Sequence, residues 1–328
     1  MSPSTALVSL AVAAAIGGGY ITFLVLRFMV RVFLADPTVT FEFVEADEQA
    51  ESGDLKMEEQ RFRTADGAEL RGVLVRGPGD PRGIVVFSPE FGGDLETWRR
   101  YAPFVPRAGW WLLAYDFRGT GNSAPWPGHV PRKWASEREV VDLEAAVAHA
   151  RTLAGGRFSS VCLFGISRGG LASLAVAARD RGIPGVVLEG SGSTLEVIYN
   201  YTVKWSRVFA PERVCAAIPQ SLYRLVSRMV LRISEWRVGY RFLELAKLEA
   251  PASGGPVLFV HGERDRHVTP DMARRAFAAF PGQKDLWMVP AARHNGAVLK
   301  HPEEYRARVL AHLERMIATG DARRSAAG

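Results

Sequence analysis

The sequence predicts an α/β fold with a mostly parallel central sheet and helices on both faces. Three observations carry that expectation. From residue 83 onward, short apolar runs alternate with helix-period patterns. The runs are apolar throughout, as strands buried on both faces require. A chain of 328 residues with 48% hydrophobic and 23% charged residues can also build a sizeable core.

The N-terminus stands apart. Thr5 to Leu26 contains no charged residue and is long enough to cross a bilayer core as a helix. Arg27 and Arg31 follow, and the apolar character resumes from Phe28 to Leu34. A signal peptide carries its positive charge before the apolar run. The order here favours an uncleaved transmembrane anchor over residues 1–35, with a signal peptide and a buried soluble helix as alternatives. The positive-inside rule then places the main domain in the cytoplasm. Residues 36–58, with Glu42, Glu45, Asp47, Glu48, Glu51 and Asp54, read as an acidic linker.

The globular core is expected over 59–194 and 251–319. Glu59–Thr64 and Glu69–Arg76 flank Asp66-Gly67, a hairpin signal. Gly83–Ser88, Trp110–Phe117, Ser160–Phe164, Val186–Glu189, Val257–His261 and Asp285–Val289 are the further strands. Helices are expected over Glu137–Leu153, where Ser136 and Glu139 form a capping box, and over Leu171–Arg181 and Glu303–Ile317. The tail from Gly320, residues 320–328, reads as disordered.

Residues 195–250 carry no strand signal and read as a helical cap or lid inserted into the fold. Arg224, Arg228 and Arg232 recur at four-residue spacing beside Leu222, Leu225, Val226, Met229, Val230 and Ile233. With nine Lys/Arg against five Asp/Glu, the insert has a basic face. That face is either simply solvated or a contact with anionic lipid headgroups.

The chemistry starts at Gly165-Ile-Ser167-Arg-Gly169. Glycines on either side let a strand turn sharply into a helix and leave the serine hydroxyl at the apex. A serine needs a base, and the base needs an orienting group. Asp265 lies in the loop after the strand Val257–His261, and His294 in the loop after Asp285–Val289. All three loops belong to the carboxyl edge of a parallel sheet, where ligands bind in such folds. Asp116, Glu189 and Glu263 remain as alternative acids, and His261 and His267 as alternative bases. His129, His149, His301 and His312 have no motif support.

The chain resembles the α/β-hydrolase superfamily, in particular its membrane-anchored serine hydrolases. The resemblance rests on Gly165–Gly169 as nucleophile elbow and on Asp116-Phe-Arg-Gly-Thr-Gly-Asn-Ser123. It rests also on His261-Gly-Glu-Arg-Asp265 as acid loop and Ala292-Arg-His294-Asn295 as histidine loop. It covers roughly residues 59 to 318 and implies a Ser167–His294–Asp265 triad acting on an acyl ester or thioester, as an esterase, lipase or thioesterase. An acyltransferase using the same intermediate, or a catalytically silent membrane-bound binding module, are the alternatives. The resemblance also implies an oxyanion hole from the backbone amides of Arg168 and Phe91. Where relatives carry His-Gly, this chain has Pro89-Glu90. The carboxylate is expected to point away, or to bond a neighbouring amide or Arg118.

Other chemistries find no support. No H-E-x-x-H or paired cysteines suggest a metal, and no G-x-G-x-x-G suggests a dinucleotide, so neither metal nor cofactor is expected. The net charge of +6 is modest and accompanies no nucleic-acid-binding signature. Two distant cysteines, Cys162 and Cys215, do not make a disulfide framework. The membrane is the expected partner, through the N-terminal helix and the basic cap.

Overall fold

A computed structural model describes residues 3–35, 55–158 and 160–327. In chain order its helices are α1 (Pro3–Leu34), α2 (Trp98–Tyr101), α3 (Phe104–Arg107), α4 (Glu137–Ala154), α5 (Arg168–Ala177) and α6 (Thr194–Ser206). There follow α7 (Glu212–Ala217), α8 (Gln220–Val238), α9 (Pro270–Ala279), α10 (Ala297–Lys300) and α11 (Pro302–Ala327). The strands are β1 (Lys56–Arg63), β2 (Glu69–Arg76), β3 (Ile84–Ser88), β4 (Trp111–Tyr115), β5 (Val161–Ile166), β6 (Val186–Glu189), β7 (Val257–Gly262) and β8 (Lys284–Val289).

Among the described residues these strands form one eight-stranded sheet, ordered β1-β2-β4-β3-β5-β6-β7-β8. The β1–β2 hairpin and the β2–β4 pair are antiparallel, and every other pair is parallel. Side chains of β5 alternate between two cores, one on each face. Val161 and Leu163 join Leu143 and Val147 of α4, while Cys162, Phe164 and Ile166 join Tyr305 and Val309 of α11. That two-sided burial is why the strand is apolar throughout. The capping box at Ser136 and Glu139 forms as expected. Both cysteines are free and buried.

Two compact units emerge. One comprises residues 37–193 and 241–328 and holds the sheet; the other comprises residues 1–36 and 194–240. The apolar N-terminal helix and the insert, separate segments by sequence, therefore belong to one helical unit. Within it Phe28 of α1 packs on Trp205 and Phe209, with ring centroids 5.7 and 5.4 Å away. Ile16–Leu34 is long and apolar enough to cross a membrane.

Some boundaries differ from the sequence expectation. β1 starts at Lys56, inside the expected linker; linker residues 36–54 lie outside the described residues. The insert ends at Tyr240 rather than 250, because Leu243 N bonds Ala135 O at 2.8 Å and Phe242 bridges Ser136, returning the chain to the sheet unit. α5 begins at Arg168 and ends at Ala177, starting directly after the serine. The backbone of α11 stays helical through Ala327 instead of fraying at Gly320, since no proline interrupts the helix formers that follow it.

Candidate active site

The register puts Ser88, Gly165, Glu189, Gly262 and Val289 at the carboxyl ends of adjacent parallel strands. Everything that follows those residues starts from one edge of the sheet.

β5 ends at Ile166 and α5 begins at Arg168, so Ser167 alone makes the turn, with φ 51° and ψ −111°. A non-glycine residue held there costs roughly 1–3 kcal/mol. The surroundings hold it: Ser167 N donates to Glu189 O at 2.7 Å, and Ser167 O accepts from Ser191 Oγ at 2.7 Å and Gly170 N at 3.1 Å. The flanking glycines are dictated by close approach. A β-carbon on Gly165 would lie 2.4 Å from the backbone of Gly169, and one on Gly169 would lie 2.3 Å from Ser88 O. That second approach presses the elbow against the loop after β3.

His294 hangs from the loop after β8, between Ala291 and Asn295, both at positive φ. Its Nε2 lies 3.4 Å from Ser167 Oγ, and its Nδ1 lies 2.6 Å from Asp265 Oδ2. The other carboxylate oxygen, Oδ1, accepts from His267 N at 2.8 Å and Val268 N at 3.0 Å. Both oxygens of this buried aspartate are thus engaged, which fixes its plane. An Nδ1–H donated to Asp265 leaves the Nε2 lone pair facing Ser167. Burial works to lower the His294 pKa, but the hydrogen bond and charge of Asp265 outweigh it and the net shift is upward from 6.5. Burial works to raise the Asp265 pKa, but the bond and charge of His294 prevail and it falls below the usual carboxylate range. Both shifts favour an imidazolium–carboxylate pair.

The loop after β3 carries Pro89, Glu90 and Phe91. Among the described residues, neither the Phe91 amide nor the Arg168 amide donates a hydrogen bond. The Arg168 guanidinium carbon lies 5.3 Å from the Phe91 ring and 5.0 Å from that of Phe117, which ties the two loops together. The Glu90 carboxyl engages its own backbone amide and the Tyr101 hydroxyl rather than Arg118. Its Oε1 accepts from the Tyr101 hydroxyl at 3.0 Å, and Oε2 has no hydrogen-bond partner among the described residues. Arg118 is instead committed to Asp142 and Asp66 at 2.6–3.0 Å. Burial pushes the Glu90 carboxyl up, toward its neutral form.

The alternative acids Asp116 and Glu189 are occupied by other donors, and His261 lies beside Asp265, its Nε2 3.5 Å from Oδ2. Asp116 accepts from Leu95 N and Asn122 N, both at 2.6 Å, and holds a turn. Glu189 accepts from Ala297 N at 2.9 Å and Tyr305 OH at 2.8 Å, and burial raises its carboxyl to about 7. Glu263 is exposed. His261 is buried, with Nε2 2.8 Å from Val268 O, and the His267 ring centroid lies 5.3 Å from that of His294. Sequence reasoning missed Tyr101, Tyr305 and Ser191 as supports of the site. None sits in a motif, and each acts through a contact made only in the fold.

Residues 79–297 match the family described as serine aminopeptidase, S33. No curated protein matches. Among solved structures, the chain is similar to the α/β hydrolase GrgF from Penicillium sp. sh18, with 20% identity over 80% of this chain and 99% of that one, at a TM-score of 0.59. It is similar to the Pyrococcus furiosus esterase Pf2001, with 20% identity over 80% of this chain and 90% of that one, at a TM-score of 0.57. An acetyl xylan esterase from Paenibacillus sp. R4 aligns at 16% identity over 81% of this chain and 87% of that one, with a TM-score of 0.55. An eight-stranded, mostly parallel sheet with a strand–Ser167–helix elbow, over a matched span covering most of the chain, identifies a hydrolase: the protein belongs to the serine aminopeptidase S33 family of α/β hydrolases.

Proposed function

We propose that the protein is a membrane-anchored serine hydrolase that cleaves a carboxylic ester or thioester through an acyl-enzyme on Ser167. One observation carries the reading: His294 bridges the other two residues, with Nε2 3.4 Å from Ser167 Oγ and Nδ1 2.6 Å from Asp265 Oδ2. His294 takes the Ser167 proton as Oγ attacks the acyl carbonyl. Asp265 holds the ring and stabilises the imidazolium. The negative charge that develops on the carbonyl oxygen is received by the Arg168 and Phe91 amides. His294 then protonates the leaving oxygen or sulfur, and the acyl group stays on Ser167. In the second half, His294 deprotonates water, which attacks the acyl-enzyme and releases the acid. The esterases among the similar folds support an ester rather than a peptide as substrate. The length and apolar composition of α1 support anchoring, with Arg27 and Arg31 on the cytoplasmic side.

The test is labelling by a fluorophosphonate, with Ser167→Ala and His294→Ala beside the wild type. Labelling of wild type alone is expected, together with hydrolysis of short soluble esters. A folded wild type that resists the probe would overturn the reading.

A further inference from the structure

We infer that the helical unit carries a binding site for an anionic phospholipid, formed by Arg27, Arg31 and Arg237. The inference rests on reading α1 as membrane-bound and is independent of the chemistry at Ser167.

A cleft of about 430 Å³ lies between α1 and α8, lined by Phe23, Leu26, Val30 and Ile233 together with the three arginines. Its size falls within the range of small-ligand sites. All three arginines are exposed, and no carboxylate among the described residues pairs with any of them. Of the other arginines of α8, Arg228 likewise has no carboxylate partner among the described residues but does not line the cleft, while two are paired. Arg224 pairs with Glu196 at 3.0 Å and Arg232 with Glu235 at 3.4 Å. The basic face read from sequence is therefore partly neutralised, and the cleft gathers three arginines without a carboxylate partner among the described residues.

The height of the cleft along α1 points to a headgroup. Ile21, Thr22 and Val25 line one cavity with Leu222, Tyr223 and Val226, whereas Arg27 and Arg31 line the cleft with Ile233 and Arg237. The two helices thus advance in the same direction. The start of α8 is level with the uncharged part of α1, and its end is level with the arginines. Along that length α8 exposes Leu222, Leu225, Met229 and Trp236 at spacings that place them on one face. Met229 and Trp236 are four and three residues from Ile233, so this apolar face borders the cleft. Apolar side chains at one level and unpaired guanidiniums at the next match the boundary between acyl chains and phosphates. A phosphate monoanion takes two-pronged hydrogen bonds from guanidinium, while the apolar lining takes the start of an acyl chain.

The experiment is native mass spectrometry of the full chain in detergent, titrated with phosphatidylglycerol or with phosphatidylcholine of the same acyl chains. Wild type is expected to retain phosphatidylglycerol in preference. Arg237→Gln should weaken it about fivefold, and the triple change Arg27→Gln, Arg31→Gln, Arg237→Gln should abolish the preference. Changing Arg224, Arg228 and Arg232 to Gln should leave it within about twofold, since two of those are paired within the protein. Hydrolysis of a short soluble ester should be unaffected in both triple variants. Equal binding of the two lipids, survival of the preference in the first variant, an equal loss in the second, or displacement by oleate but not by excess phosphatidylglycerol would each overturn the assignment. Alkaline carbonate extraction of membranes carrying the full chain reports the anchoring of α1 separately.

Discussion

The Tyr101 hydroxyl donates a 3.0 Å hydrogen bond to Glu90, a carboxyl buried in the loop that carries the Phe91 amide. An ionised glutamate there would oppose an oxyanion. Burial raises its pKa toward the neutral form, and among the described residues its second oxygen accepts no hydrogen bond that would stabilise the charge.

If burial holds Glu90 neutral, Glu90→Gln is a mild change, with kcat on a short ester expected within a few-fold of wild type. A large rise in kcat would mean that the native carboxylate is charged and inhibitory. Tyr101→Phe removes the hydroxyl donor to this buried group and should cost roughly 1–3 kcal/mol in a denaturant melt.

Asp265→Asn keeps the shape of the triad but not its charge. By analogy with other Ser-His-Asp enzymes, kcat should fall about 10⁴-fold with the fold intact. The pH dependence follows from the same pair. His294 must be neutral to act as base, and its pKa is raised, so kcat/KM of the wild type should climb through a limb centred above 6.5. A limb at or below that value in wild type would contradict the strong Asp265–His294 coupling.

Gly165→Ala should be poorly tolerated. The new β-carbon would meet the Gly169 backbone at 2.4 Å, and neither segment can retreat without moving Ser167. A loss of roughly 1–3 kcal/mol or more is expected in thermal or urea unfolding, together with loss of fluorophosphonate labelling. Wild-type stability and labelling in this variant would show that the elbow is looser than the contact distances require.

Glu189 should make the protein less stable as pH rises. Its folded carboxyl is raised from 4.5 to about 7, so the fold keeps a proton that the unfolded chain sheds across that interval. The stabilisation is full below 4.5 and is lost as pH passes about 7, a difference of roughly 3 kcal/mol. Glu189→Gln, neutral throughout, should flatten the decline in melting temperature between those pH values. An unchanged slope would place the pH sensitivity elsewhere.

Much of the site is legible locally. The elbow can be read because strand, turn and helix are set by residues within a few positions of Ser167, and two glycines announce a turn that no β-carbon allows. The loops of Asp265 and His294 are legible as loops for a similar reason, each following a buried apolar strand. The partner of Glu90 is not. Tyr101 lies on the short helix α2, eleven residues along, and no spacing rule links a carboxyl in one loop to a hydroxyl there. Glu189 likewise ends an unremarkable strand, and only the approach of α11 brings Tyr305 to it.

The sequence by itself determined a parallel sheet buried on both faces, a serine at a strand-to-helix turn, and an N-terminal helix apolar enough for a bilayer. These follow from the period and polarity of neighbouring residues. Only the tertiary structure decided that His294 lies between Asp265 and Ser167, that Asp116 holds a turn, and that α1 and the insert form one unit in which Arg27, Arg31 and Arg237 line one cleft. The Ser167–His294 contact alone joins residues 127 positions apart. Such contacts depend on where the ends of packed elements fall, and local preference carries no information about that.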